Sequence, residues 1–100
     1  MVETRRALPG SLGRLRLEDI HAFLVVAEEL HFGRAAERLF LTSGALSRRV
    51  ATIERAVGER LLDRTTRTVA MTPTGRHFAA AAATALRAFA GPVARDGDRS

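Results

Sequence analysis

Residues 34–57 read RAAERLFLTSGALSRRVATIERAV, and the way this stretch divides decides the fold. Its first part, Arg34 to Leu39, has helical spacing, and Ala35, Ala36 and Leu39 allow close packing against a neighbour. Phe40 and Leu41 interrupt it. Thr42 is a good N-cap for a second helix from Ser43 to about Val57, whose Leu46, Val50, Ile53 and Val57 form an inward stripe. Gly58 stops that helix. Two helices joined by about three residues, the second opening on small polar groups and showing arginines outward, make a helix-turn-helix.

Upstream, Leu17, Ile20, Phe23, Leu24 and Ala27 follow a helical period, and acids at the start suit a helix N-terminus. This predicts a scaffold helix over Leu17 to Glu29, broken from the next at Leu30-His31-Phe32-Gly33. Residues 1–16, with Pro9, Gly10 and Gly13, read as a flexible basic arm. Downstream, Leu61 to Arg64 and Thr68 to Met71 read as two short strands around a polar turn, a basic wing. Thr72 then caps a further helix with Pro73 in its first turn. Gly75, Phe78, Ala82, Ala85 and Phe89 step by 3, 4, 3 and 4 along it, with Leu86 beside them, a seam suited to pairing two copies. Gly91-Pro92 is expected to end the helix and leave 91–100 as a disordered tail. The expected class is mainly α: a winged helix-turn-helix of three helices and a two-stranded β wing over 17–72, then a dimerising linker helix over 73–90.

Composition agrees. One hundred residues suffice for one modest core, and an apolar content of 46% that leans on Ala and Leu favours helix. With no Cys, a disulfide frame and a Cys-based metal or redox site are excluded. No run approaches the roughly 20 apolar residues of a membrane span, so the expected setting is the cytoplasm, with no membrane partner. All sixteen basic residues are Arg, and the net charge is +5. Residues 17–29 hold four acids and no Arg, whereas residues 30–71 hold eight Arg against four acids. An acidic helix before a basic middle fits a molecule that offers one face to a polyanion, and charge alone fits a solvated, charge-balanced surface equally well.

Double-stranded DNA requires some groups that reach base edges and others that grip phosphate. With the stripe inward, Ser43, Gly44, Ser47, Arg48 and Thr52 lie on the outer side of the second helix, and Arg49 stands beside them. Arg48 is the best candidate for a guanine or phosphate contact, because its planar fork bonds two acceptors at once. Thr42, Ser43 and Ser47 can bond phosphate oxygens, although capping alone accounts for Thr42 equally well. Arg34, Arg64 and Arg67 bracket the groove. His21, His31 and His77 are scattered without metal spacing, and there is no phosphate loop, paired-carboxylate cleft or nucleophile motif. Neither an enzyme nor a cofactor is expected.

The ordered set Phe23 to Phe32, Arg34 to Leu39, Ala45-Leu46-Ser47-Arg48, Ile53-Glu54, Gly58, Leu61 to Arg64 and Thr72 to Gly75 resembles the N-terminal domain of LysR-type transcriptional regulators, over about Leu17 to Phe89. The resemblance implies a winged helix-turn-helix, a linker helix that dimerises, and binding to interrupted palindromes in promoter DNA. By position, Thr42, Ser43, Ala45, Ser47 and Arg48 match the family's recognition helix, and Arg64 and Arg67 its wing. Many members have Gln-Pro where this chain has Ser43-Gly44, so a long amide able to reach adenine is missing. The family's effector-binding domain lies beyond the last residue here, so no small-molecule effector is expected for this chain. Two rivals remain at this point: an adaptor that captures another regulator's linker helix through the Gly75 to Phe89 seam, and a gene remnant without function.

Overall fold

The protein was analysed as a computed structural model that describes residues 15–65 and 69–99, from residue 90 onward through the course of the backbone. Helix α1 spans Leu17–Glu29, α2 Phe32–Leu39 and α3 Ser43–Val57. Strands β1, Leu62–Arg64, and β2, Val69–Met71, pair antiparallel with Leu62 opposite Met71 and Arg64 opposite Val69. Helix α4 runs over Pro73–Arg99. The winged helix-turn-helix is therefore present, with the wing tip at residues 66–68, and with it Arg67, outside the described residues.

Local chemistry sets the helix ends. Leu30 and Phe40 adopt left-handed backbone at φ 51° and 56°, closing α1 and α2, while Gly58 at φ 89° closes α3 without the Cβ penalty. His31 caps α2 in place of the usual hydroxyl, its Nδ1 accepting from the Arg34 backbone N–H at 3.0 Å. The helix thus starts two residues earlier than the break at Leu30 to Gly33 suggests, because His31 can cap from within that break. Thr42 Oγ1 accepts from Ala45 N–H at 3.0 Å, so its capping role is real.

The core lies where the three helices cross. Phe23, Val26, Ala35, Leu46, Val50 and Ile53 are fully buried, and Ala35 and Ala36 keep α2 close to its neighbours. Leu61 and Leu62 close the core from the wing side. Glu54 of α3 fixes that approach, its carboxylate accepting from the backbone N–H of Leu61 at 2.9 Å and of Leu62 at 3.2 Å. Thr72 ties the wing to α4: its hydroxyl donates to the Arg60 carbonyl and accepts from Gly75 N–H.

Helix α4 departs from expectation twice. Of the seam residues, Gly75, Phe78 and Ala82 are turned into the chain itself: Gly75 is buried against Leu61, Phe78 meets Phe23 edge-on with ring centroids 5.6 Å apart, and Ala82 is buried. A period near 3.5 marks an apolar stripe but does not say what it packs against, and part of this one meets α1 of the same chain. Ala85, half-buried Leu86 and Phe89, the last 70% exposed, lie beyond that contact. Second, the helix continues through Gly91-Pro92 to Arg99, so 91–99 is helical rather than a disordered tail. A single proline removes one backbone hydrogen bond; here the helix carries that loss.

Candidate nucleic-acid interface

With Leu46, Val50 and Ile53 inward, the opposite side of α3 is presented outward from its N-terminus. Thr42, Ser43, Gly44 and Arg48 are exposed there, and Ala45, Ser47, Arg49 and Thr52 are half-buried. These side chains differ in what they have free. Thr52 Oγ1 donates to the Arg48 carbonyl at 3.0 Å, so its proton is already used. Ser47 Oγ accepts from Arg64 Nη1 at 3.2 Å and keeps its own proton to donate. The guanidinium of Arg64 also lies 4.6 Å over the centre of the Phe32 ring, so wing, α3 and the start of α2 meet at this one side chain.

The arginines fall into two groups. Arg34 Nε donates to Glu29 Oε1 at 3.3 Å, and Arg38 Nη1 donates to Glu28 at 2.8 Å and Glu29 at 3.1 Å. The hydrogen bond to Glu28, followed by that to Glu29, holds the Arg38 pKa above its ordinary value. Arg49 turns toward α1, 3.7 Å from Glu18 and 3.9 Å from Asp19, and Arg16 lies 3.3 Å from Glu18. Arg48 belongs to the other group. Among the described residues it makes no ion pair, and its Nη1 lies 3.8 Å from where a Cβ on Gly44 would stand, folded back over the first turn of α3. Between α1 and α3 a groove of about 450 Å³ opens beside Arg48, Arg49 and Thr52.

The structure thus brings Ser43, Gly44, Ser47, Arg48 and Arg64 onto one surface and gives Arg34 and Arg49 acidic partners. Sequence reasoning missed Phe32, Glu54 and the four carboxylates at the two ends of α1 as parts of this site. For Glu29 a signal existed: acids in the last turn of a helix face its negative end and need another reason to be there. Among the described residues no group of three His, Asp or Glu side chains could hold a metal ion, and no helix is long and apolar enough to cross a membrane.

Comparison with known proteins yields consistent likenesses. Residues 17–76 match the family described as bacterial regulatory helix-turn-helix proteins of the lysR family. The transcriptional regulator PgrR of Escherichia coli is 51% identical over 65 residues, 65% of this chain and 22% of that protein. AlsR of Bacillus subtilis, another transcriptional regulator, is 45% identical over 64 residues, 64% of this chain and 21% of its own length. The chain therefore spans about a fifth of the curated relatives it matches. Among solved structures, a complex of the BenM DNA-binding domain with catB site 1 DNA superposes with a TM-score of 0.76 at 31% identity, covering 83% of this chain and 92% of that one. Vibrio fischeri DarR in complex with DNA gives 0.76 at 30% identity, over 85% of this chain and 29% of that one.

Proposed function

Since this chain belongs to the lysR family of bacterial regulatory helix-turn-helix proteins, we propose that it binds double-stranded DNA sequence-specifically and acts in transcription regulation, with α3 in the major groove and the wing on the flanking backbone. The observation that carries this reading is the outward face of α3, where Arg48 makes no ion pair among the described residues and Ser47 keeps a hydroxyl proton to donate. A guanidinium fork suits guanine O6 and N7, and small hydroxyls suit phosphate. Likeness at about 30% identity to neighbours solved in complex with DNA supports a duplex as the partner.

Two copies would pair through the part of α4 beyond its contact with α1, near Ala85, Leu86 and Phe89, and so set two recognition helices in successive major grooves. The protein works in the cytoplasm with the DNA and catalyses no reaction. No observation favours the adaptor or the remnant over this reading.

Salt dependence is the test. If a pair of copies neutralises about six phosphates, log affinity for a promoter-length duplex falls against log salt with a slope near −5. Fluorescence anisotropy across a salt series reads this directly, and an affinity indifferent to salt would remove the phosphate grip from the account.

A further inference from the structure

Four arginines, of which Arg16 and Arg49 line the groove beside Arg48, are each held by a carboxylate of one helix, α1. Its last turn supplies Glu28 and Glu29, which take Arg38, and Glu29 takes Arg34 as well. Its first turn supplies Glu18, between Arg16 and Arg49, with Asp19 behind it. The first-turn acids suit the positive end of a helix, but Glu28 and Glu29 sit at the negative end, with no basic residue in that turn of α1 to offset them. Their placement is accounted for by the arginines of α2. Only 24% of the Glu29 side chain is exposed, so this carboxylate is held in position rather than sweeping through solvent.

We propose that α1 is an internal competitor for phosphate: Glu29 and Glu18 occupy, in the free protein, arginines that a DNA backbone would otherwise draw, and so hold down the sequence-independent part of the grip. The proposal rests on the DNA-binding reading. A carboxylate and a phosphate oxygen present the same acceptor chemistry to a guanidinium, so a duplex phosphate that takes one of these four arginines competes with an acid for it. Arg48 and Arg64 make no ion pair with an acid among the described residues, so base reading and the tie between wing and α3 are not subject to this competition. Phosphate carries no sequence, and the device therefore lowers affinity for all duplexes alike and leaves selection unchanged.

The test compares E18Q, E29Q and the double variant with the unsubstituted protein, on a mixed-sequence duplex and on the duplex that the unsubstituted protein selects from a randomised pool. Glutamine keeps the shape and an acceptor but loses the charge. Exposed ion pairs shift equilibria by about two- to fivefold, so each single variant should bind both duplexes tighter by about that factor, with a steeper salt slope by about 0.9 for each arginine released. E37Q is the control, since Glu37 is exposed on α2 and makes no ion pair among the described residues; it should move affinity less than twofold. Glu18 is more than half exposed, so E18Q reports even if E29Q weakens the fold.

Three outcomes would overturn the proposal: affinity unchanged in both single variants, E37Q matching them, or a gain confined to the selected duplex. The first two leave the DNA-binding reading intact. An unsubstituted protein that binds neither duplex would end both.

Discussion

Gly75→Ala is expected to lower the melting temperature by more than about 10 °C. Alanine is ordinarily the better helix former by about 1 kcal/mol, which would favour the substitution in the first turn of α4. The local geometry reverses that sign. A Cβ at position 75 would stand 2.0 Å from the Leu61 carbonyl oxygen and 2.9 Å from its carbon. Those atoms are backbone, held by Thr72 N–H on the same carbonyl and by Glu54 on the Leu61 N–H, so they cannot step aside as a side-chain end would. Overpacking of this kind costs about 3 kcal/mol, well above the propensity gain. Thermal unfolding followed by circular dichroism measures it, and an unchanged melting temperature would show that α4 does not need its close approach to Leu61. Gly44 makes the contrast, because there a Cβ would meet only Arg48 Nη1 at 3.8 Å, an ordinary contact.

Arg48→Ala is expected to weaken binding to a selected duplex by about 1–3 kcal/mol, roughly five- to 150-fold, and to relax preference at one base position of each half-site. Loss of preference is the telling part. An arginine that only neutralises phosphate, as proposed for Arg34, weakens all duplexes uniformly when removed. Competition among duplexes with single base changes separates the two roles. Preserved discrimination with weaker overall binding would move Arg48 from base reading to the backbone, and unchanged affinity would remove it from the interface.

Much of this architecture is legible in residues 34–57, because each signal there is local. Thr42 caps within three residues, the stripe of Leu46, Val50 and Ile53 repeats within one helix, and Gly58 ends it in place. The wing is similarly short-range, two strands either side of a polar turn. What sequence hides is the partner across space. The spacing from Gly75 to Phe89 marks an apolar stripe without showing that its first half meets the chain's own α1 and Leu61. Counting charges likewise finds an acidic helix and a basic middle without showing that Arg49 faces Glu18, 31 positions away, or that Arg34 faces Glu29. Glu54 was hidden for the same reason, since its task is to accept two backbone N–H groups seven and eight residues on.

The central claim is that the outer face of α3 meets the duplex, and amide shift mapping tests it most directly. A selected duplex titrated into isotope-labelled protein should move the amides of Ser43, Gly44, Ser47 and Arg48 most, with Arg64 following. Large shifts confined to the exposed side of α4, around His77 to Ala85, with those of α3 unmoved, would contradict it.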